Sequence, residues 1–350
     1  MSPLSGRLFV CITALLSACG GGGEEAQEPP DLALGEAQYA KYCAVCHGPE
    51  GNGYAADMAN SLRSPEFLGT ATDAFLSHAI IRGRPGTSMS GWGASVGGPI
   101  DEGHELDSLV AWIRQWQDGP MVDVSSVHLE KQTDIAETIY ELRCLDCHGE
   151  AGAGGPYISL NNPELHASAS DGFLLYAIQK GRTGTAMPGF EEELTQVQMQ
   201  DLVVWLREQA LPPHQRTSEL PDHDLGEPVL NPAGPEPTWS TEDRFVSVHE
   251  VFEQLEAGAS MVFLDARPPS DYVMGHVTGA VSVPFYAVEE FLDQLPQEHW
   301  VIAYCACPHA ESGLAADALE ANGYDRVKVM DEGYLEWVDA GYPTVEGAAP

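Results

Sequence analysis

The sequence has few basic residues, and this shortage limits the partners that the protein can bind. Lysine and arginine number 16 of 350 residues against 53 aspartates and glutamates, which gives a formal net charge of −37. Such a surface repels polyanions, so nucleic acid and anionic lipid surfaces are excluded as main partners. The charge favours a basic protein as the partner; the alternative is a merely solvated, salt-adapted acidic surface.

The chain also lacks spare cysteines that could form disulfides between distant loops. Cys11 and Cys19 lie near the N-terminus, and the other six of the eight cysteines form three close pairs: Cys43/Cys46, Cys144/Cys147 and Cys305/Cys307. Pairs separated by one or two residues are typical of cofactor attachment or redox chemistry, not of a disulfide framework.

The apolar stretch near the N-terminus is too short to cross a bilayer. LFVCITALLSAC follows Arg7, and its last four residues, LSAC, resemble the lipobox of bacterial lipoproteins. The resemblance implies a signal peptide over 1–18, a lipid on Cys19 and a flexible tether over 19–31. We therefore expect a periplasmic protein that is lipid-anchored to a membrane, and Gly20 favours the outer membrane. An ordinary cleaved signal is the alternative.

Two segments in the first two thirds of the chain repeat each other. GEAQYAKYCAVCHGPEGNG, from Gly35, aligns without a gap with AETIYELRCLDCHGEAGAG, from Ala136. Further on, GRPGTSMSGW (83–92) matches GRTGTAMPGF (181–190), and each repeat then closes with an amphipathic helix pattern. The repeat predicts two helical domains of one ancestry.

Each repeat contains Cys-x-x-Cys-His, which is the attachment pattern for c-type haem. Two thiols at this spacing add to the two vinyl groups on one porphyrin edge, and the adjacent histidine then faces the iron. The pattern predicts two covalently bound haem c groups, held by Cys43, Cys46 and His47 and by Cys144, Cys147 and His148. The alternatives are a zinc site, which would need further ligands nearby, and a thioredoxin-like CxxC, which would need a βαβ setting.

The second axial ligand of each iron is predicted from the matched loops. Met89 and Met187 occupy the same place in the G-R-x-G-T-x-M loops, 42 and 39 residues after the histidine of their own repeat. Methionine often fills cores, but a thioether is also a haem ligand that raises the potential. Because both methionines align within polar, glycine-rich loops, we assign them as ligands. His78 and His166 are the rival ligands, and they do not align between the repeats.

The two regions resemble class I cytochrome c domains over 32–118 and 130–211. The resemblance rests on CAVCHG, CLDCHG and the two methionine loops. Ser90 departs from the proline that often follows the axial methionine in this family, whereas Pro188 conforms to it. The resemblance implies a small all-α fold around each haem, with one haem edge exposed for electron transfer.

A change of composition separates the repeats from a third domain. Seven prolines fall within residues 211–243, and we predict a semi-rigid linker over 212–240. Beyond it, the strand candidates VFLDAR, AVSVP, VIAYC and RVKVM alternate with the helical patterns HEVFEQLEAG, FYAVEEFLDQL, SGLAADALEANG and EGYLEWVDAG. This alternation predicts a parallel α/β sheet. Ligands of such sheets bind beyond the carboxyl ends of strands, which is where Cys305 stands.

A set of short motifs is spread over residues 241–346: Asp265-Ala266-Arg267, Tyr272, Gly275-His276, Gly279-Ala280, Pro284, Cys305, Gly333-Tyr334 and Trp337. With these residues the region resembles a rhodanese domain, a family in which a cysteine accepts a sulfane sulfur as a persulfide. A loop that leads from this cysteine into a helix start would lower the thiol pKa and stabilise a persulfide anion. A buried, inert cysteine is the alternative.

The loop after Cys305 departs from the family pattern. Glu311 stands where an arginine would bind anions, and this carboxylate disfavours a phosphatase and efficient thiosulfate cleavage. Cys307 could resolve a persulfide, and His309 could carry a proton or be a plain loop residue.

The sequence as a whole predicts a multidomain protein, in which two all-α cytochrome c domains precede an α/β rhodanese-like domain with a parallel sheet. We expect an extracytoplasmic dihaem cytochrome that carries electrons, coupled to the oxidation or transfer of sulfane sulfur held on Cys305. The alternative is an electron-transfer cytochrome with a catalytically inactive rhodanese module for docking or sensing. The expected partners are a basic soluble cytochrome or an oxidase, a reduced sulfur compound, and a membrane through the lipid anchor.

Overall fold

The computed structural model of the protein describes residues 28–56, 58–214, 219–306 and 309–350. The predicted signal peptide over 1–18, the lipid site Cys19, residues 19–27 of the tether and Cys307 lie outside the described residues. Among the helices of the described ranges, none is both long enough and apolar enough to pass through a bilayer.

Two helical units follow one another in the first part of the chain. The first unit contains α1 (Leu32–Gln38), α2 (Ala44–His47), α3 (Pro65–Leu68), α4 (Asp73–Arg82) and α5 (His104–Arg114). The second unit contains α6 (Ala136–Arg143), α7 (Leu145–His148), α8 (Pro163–Ser168), α9 (Asp171–Lys180) and α10 (Gln196–Glu208). Both units therefore have a short helix that ends at the histidine of the motif and a longer helix that precedes the methionine loop.

Local sequence explains where the equivalent helices α4 and α9 begin and end. The side chain of Thr72 accepts a hydrogen bond from the Phe75 amide at the start of α4, and Ser170 does the same for Phe173 at the start of α9. Each helix ends at a glycine with positive φ, which turns the chain into the methionine loop. The capping residues thus hold the two methionine loops at equivalent places.

The third unit is built on a main sheet of five strands and a second sheet of two. The strands of the whole unit are β1 (Phe245–Val246), β2 (Met261–Asp265), β3 (His276–Val277), β4 (Val281–Ser282), β5 (Trp300–Tyr304), β6 (Val327–Met330) and β7 (Thr344–Val345). Its helices are α11 (Val248–Glu256), α12 (Pro269–Tyr272), α13 (Ala310–Ala321) and α14 (Gly333–Asp339). The main sheet is parallel with the order β1-β6-β5-β2-β4, and β3 pairs antiparallel with β7.

The central strands of this sheet are buried on both faces, as expected for a parallel sheet. Val262 and Leu264 of β2 face the same apolar cluster as α13, whereas Met261 and Phe263 face the cluster that contains Trp337 of α14. The alternation of side chains along a strand produces these two layers. The last residues of the paired strands β2 and β5, Asp265 and Tyr304, lie side by side. Cys305 follows β5 at this edge of the sheet.

The predicted helix over FYAVEEFLDQL is wrong. This segment contains only a single 3₁₀ turn at Val288–Glu290. Its apolar side chains are nevertheless buried in the core: Phe285, Val288, Phe291 and Leu295. The spacing of the apolar residues reports that these side chains are buried, not that the backbone is helical. Prolines directly before and after the segment also restrict the length of any helix there.

The two helical units pack against each other with approximate two-fold symmetry. Phe75 of α4 meets its counterpart Phe173 of α9 with 4.7 Å between ring centroids. Glu164 of α8 binds His78 and Arg82 of α4, while its counterpart Glu66 binds Thr183 after α9. Equivalent elements thus meet across the interface, and each unit contacts the methionine loop of the other.

The third unit packs against the first. One apolar cluster is continuous from Leu109 of α5, through Trp92, to Phe285 and the α13 face of the sheet. The rings of Tyr42 and Tyr286 meet edge to face at 5.3 Å, and those of Trp92 and Phe285 at 6.4 Å. Helix α13 packs against α2, which carries the first Cys-x-x-Cys-His histidine.

Candidate functional site

The four cysteines of the two haem-attachment motifs flank short helices and are not joined in disulfides. Cys43 precedes α2 and Cys46 lies on it, and Cys144 and Cys147 have the same places at α7. Burial raises the pKa of Cys43 to about 12, and burial together with Cys147 raises the pKa of Cys144 to about 11. The protein environment thus keeps both first cysteines as neutral thiols.

The histidines of the two motifs are held in the same tautomer. Nδ1 of His47 donates to the carbonyl of Asn60 at 2.9 Å, and Nδ1 of His148 donates to the carbonyl of Ile158 at 2.9 Å. A carbonyl can only accept a hydrogen bond, so the proton is on Nδ1 and the lone pair is on Nε2. Burial lowers the pKa of both imidazoles, which keeps them neutral at neutral pH. Both rings are therefore prepared to bind a metal through Nε2.

The two methionine loops have the same hydrogen bonds. In the first loop the Met89 carbonyl accepts from the Arg84 amide at 2.7 Å, and the Met89 amide donates to the Thr87 hydroxyl at 3.2 Å. In the second loop the corresponding contacts of Met187 measure 3.0 Å and 3.1 Å. Both methionines are half-buried. The loop conformation thus follows from local sequence in both units.

An arginine of each loop is half-buried beside aromatic rings. Arg84 lies over Phe75, and Arg182 lies over Phe173. Partial burial lowers the pKa of each guanidinium to about 10, although Glu164 acts against this shift for Arg84. Two half-buried cations whose pKa is lowered in this way suit a ligand that brings carboxylates, because a nearby negative charge would offset their desolvation.

The rival iron ligands are engaged with other protein groups. Nε2 of His78 lies 2.8 Å from a carboxylate oxygen of Glu164, across the interface of the two helical units. Nε2 of His166 lies 2.8 Å from the Leu160 carbonyl, and its Nδ1 lies 3.2 Å from Arg207. The assignment of Met89 and Met187 as ligands stays a prediction.

Cys305 lies at the carboxyl end of β5 and is fully buried. Its Sγ is 3.3 Å from the hydroxyl of Ser312, and its carbonyl accepts a hydrogen bond from the Tyr334 amide at 2.7 Å. Helix α13 begins five residues after Cys305, and Ser312 lies in its first turn. A hydroxyl next to a thiol at a helix start can stabilise a sulfur anion.

Among its described residues, this loop also presents a carboxylate and a histidine. Glu311 is buried in the first turn of α13 and contributes, after burial and Tyr42, to the raised pKa of Tyr286. His309 has the left-handed φ of 63°, with its ring 4.6 Å from Phe245 and its Nε2 3.6 Å from a carboxylate oxygen of Asp331. The carboxylate expected from sequence to repel anions is thus buried in the same helix turn as Ser312, whose hydroxyl contacts the thiol.

Sequence reasoning missed the residues that join the units. Ser90 donates a hydrogen bond to Asp271, and Glu66 and Glu164 join the two helical units. One signal was visible, because Ser90 was the departure from the cytochrome pattern. The glutamates were also detectable as matching Pro-Glu pairs in the two repeats, at Pro65 and Pro163.

Comparison with known families identifies all three units. The model of "Cytochrome C oxidase, cbb3-type, subunit III" matches residues 30–113 and 131–206, and the model of the "Rhodanese-like domain" matches residues 247–340. The protein thus consists of cytochrome c domains followed by a rhodanese-like domain. Its helical part is similar to the cbb3-type subunit III family, and its last part belongs to the rhodanese-like family. The predicted resemblance and the predicted fold class are confirmed, whereas the lipoprotein signal remains a prediction.

Individual relatives cover parts of the chain. The cbb3-type cytochrome c oxidase subunit CcoP of Azospirillum sp. is 25% identical over 206 residues, 52% of this chain and 65% of CcoP. The HTH-type transcriptional regulator Rv0324 of Mycobacterium tuberculosis is 32% identical over 99 residues, 28% of this chain and 43% of that protein. The thiosulfate sulfurtransferase GlpE of Tolumonas auensis is 31% identical over 78 residues, 22% of this chain and 73% of GlpE. The chain thus spans less than two thirds of the first two relatives.

Cytochrome c domains bind haem c and transfer electrons, and a rhodanese-like domain indicates a role related to sulfur. These are the coarse functions that the families establish for this chain.

Proposed function

We propose that this protein is a dihaem c-type cytochrome that takes electrons from reduced sulfur bound to Cys305. The observation that carries the proposal is the packing of α13, the helix that follows Cys305, against α2 of the first haem motif. Tyr286 and Tyr42 meet at the same contact, 5.3 Å apart. This contact supports electron transfer from sulfur on the loop of Cys305 to the first haem motif.

The residues present fit two covalently attached haem groups. Each motif has two cysteines outside disulfides and a buried histidine whose Nε2 is available, and each methionine loop brings a thioether and a half-buried guanidinium. The predicted roles are thioether links through Cys43, Cys46, Cys144 and Cys147, and iron ligation through His47, Met89, His148 and Met187. When bound, each haem supplies a one-electron redox centre whose potential methionine ligation raises.

The symmetric packing of the helical units supports electron transfer between the two centres. Asn162 of the second unit donates a hydrogen bond to the Pro85 carbonyl of the first methionine loop at 2.9 Å, and Thr183 of the second loop binds Glu66 of the first unit. Each methionine loop thus touches the opposite unit, which supports a short path between the two predicted haem sites. Two acceptors held together can collect two electrons from one donor.

The sulfur step that suits this arrangement is the oxidation of the hydrosulfide ion, HS⁻. The Cys305 thiolate and hydrosulfide would join through a new S–S bond while the S–H bond breaks, which gives a persulfide anion and releases one proton and two electrons. The two electrons match two one-electron acceptors. The buried carboxylate of Glu311 disfavours dianions such as thiosulfate more than the singly charged hydrosulfide ion. The Ser312 hydroxyl, 3.3 Å from Cys305 Sγ, would stabilise the persulfide anion.

Stopped-flow spectroscopy of the oxidised protein tests this proposal. Sulfide should reduce the haem groups of the wild type at least tenfold faster than those of Cys305→Ser. Ser260→Ala, immediately before β2 and at the opposite end of the parallel strands from Cys305, is the matched control and should react like the wild type. Equal rates for wild type and Cys305→Ser would show that sulfur is not oxidised on Cys305.

The second candidate function is an electron-transfer cytochrome whose rhodanese-like domain only docks or senses. The observation in its favour is that Cys305 is fully buried and that the carboxylate of Glu311 is buried in the first turn of the helix that follows it. Mass spectrometry after exposure to polysulfide separates the two functions. A gain of one sulfur atom on Cys305 supports the first function, and no adduct supports the second.

The location and partners are also proposals. The lipobox-like LSAC segment supports a periplasmic protein that is lipid-anchored to a membrane, with the outer membrane favoured by Gly20. The net charge of −37 supports a basic redox partner, a soluble cytochrome or an oxidase. Globomycin-sensitive processing, and a shift of the protein from membrane to soluble fraction in Cys19→Ala, would test the anchor.

A further inference from the structure

The rhodanese-like domain covers one of the two methionine loops. Ser90 and Gly91, which follow Met89, are both buried, whereas their counterparts Pro188 and Gly189 are exposed. Within the loops themselves the hydrogen bonds are the same. The two loops therefore differ in what lies over them, and the second loop is an internal reference for the first.

Two side chains of α12 hold the covered loop directly. The Ser90 hydroxyl donates to a carboxylate oxygen of Asp271 at 2.6 Å. The hydroxyl of Ser270, which is fully buried, donates to the Gly91 carbonyl at 2.6 Å. Each bond joins residues about 180 positions apart in the chain. Both contacts fall within two residues of Met89.

Helix α12 is itself firmly held within the rhodanese-like domain. The hydroxyl of Tyr272 donates to the Ala280 carbonyl at 2.7 Å, and its ring stacks on that of His276 at 3.6 Å. Arg267, just before α12, is buried and paired with Asp265 at the end of β2. The contacts of Ser270 and Asp271 therefore connect the Met89 loop to a rigid part of the sheet domain.

We propose that Ser270 and Asp271 are positioning residues for Met89, through which the rhodanese-like domain sets the ligand strength and the potential of the first haem alone. This inference rests on the proposed ligation of iron by Met89. The hydrogen bonds fix the backbone on the C-terminal side of Met89, where the second loop has the ring of Pro188 instead. A methionine held in place competes better with other ligands, and thioether ligation raises the haem potential.

The experiment is a titration of the oxidised, fully loaded protein with imidazole, which competes with methionine for ferric iron. The visible spectrum reports the loss of methionine ligation, and the two sites provide two binding phases. In the double variant Ser90→Ala/Ser270→Ala, one phase should shift to about tenfold tighter imidazole binding, because two hydrogen bonds to the loop are lost. The other phase should not move.

A potentiometric titration gives a second readout. If the change weakens methionine binding to the reduced iron tenfold more than to the oxidised iron, the potential of one haem falls by about 59 mV, the one-electron equivalent of a tenfold change. Ser95→Ala, an exposed serine of the same unit, is the matched control and should leave both haem groups unchanged. Equal haem content in the pyridine haemochrome assay ensures that all variants are compared as loaded protein.

Met89→Ala and Met187→Ala separate this inference from the ligation on which it rests. If Met89→Ala leaves both imidazole phases and both potentials unchanged, Met89 is not a ligand, and the ligation and the inference both fail. If Met89→Ala tightens one phase but Ser90→Ala/Ser270→Ala does not, the ligation holds and the positioning role is refuted. Equal shifts at both haem groups in the double variant would also refute it, because they would show a general loosening.

Discussion

Substitution of Glu66 by glutamine tests the interface between the two cytochrome domains. The Glu66 carboxylate accepts hydrogen bonds from the Thr183 amide at 2.8 Å, the Thr183 hydroxyl at 2.6 Å and the Ser64 hydroxyl at 2.8 Å. Burial alone would raise the pKa of Glu66, but the hydrogen bonds from Thr183 and Ser64 outweigh it and lower the pKa to about 2. The carboxylate is thus bound more strongly when it is charged.

The pKa gives the size and the pH range of the effect. A pKa lowered from 4.5 to about 2 corresponds to roughly 3 kcal/mol if no charge is screened. Glu66 is partly exposed, so we expect Glu66→Gln to lose about 1 kcal/mol at pH 7. Because the folded-state pKa is the lower one, this stability is complete above about pH 4.5 and is lost progressively as the pH falls towards 2.

The rate of amide hydrogen exchange at Thr183 measures the strength of this contact. The Thr183 amide donates directly to Glu66, so a loss of about 1 kcal/mol should speed its exchange about fivefold at pH 7. The difference between wild type and Glu66→Gln should shrink below pH 4.5. Glu50→Gln is the matched control. Glu50 belongs to the same domain, but it is exposed and forms a long, solvent-exposed ion pair with Arg63 at 3.6 Å. Unchanged exchange at Thr183, or a difference that is independent of pH, would refute the reasoning.

Three further predictions follow from other contacts. Glu164→Gln should lower the free energy of unfolding by about 2 kcal/mol, because it leaves the partly buried His78 and Arg82 without their carboxylate, and an unchanged urea midpoint would contradict this. Glu311→Gln should increase the persulfide formed on Cys305 from thiosulfate about tenfold, since it removes a buried negative charge, and equal yields by mass spectrometry would show that the charge is unimportant. Electron transfer to a basic partner cytochrome should slow as salt is raised from 20 to about 200 mM, and a rate that is independent of salt would mean that the acidic surface is only solvated.

The haem motifs could be recognised from sequence because the chemistry depends on neighbours in the chain. Cys43, Cys46 and His47 act on one porphyrin edge, so their spacing carries the information. The same holds for the methionine loops, whose hydrogen bonds lie within six residues. Four strands of the rhodanese-like domain, β2, β4, β5 and β6, were also predictable, since buried parallel strands are short and uniformly apolar, whereas the two-residue strands β1, β3 and β7 were missed.

The segment over 285–295 shows where pattern reasoning stops. Its apolar residues recur at helical spacing and are buried in the core, yet the backbone of the segment contains only a single 3₁₀ turn. Periodicity reports which side chains face a core, and it does not report the backbone path when the segment is short and bounded by prolines. The structure was needed to decide between these possibilities.

The sequence by itself determined the order of the domains, the covalent attachment motifs and the position of Cys305 at a strand end. Only the tertiary structure decided that Glu66 and Glu164 join the cytochrome domains as a symmetric pair, and that α12 holds the loop of Met89 but not that of Met187. The physical reason is distance along the chain. Local motifs require only a few neighbouring residues, whereas the contacts of Ser90 with Asp271 arise from the way in which separately folded units pack together.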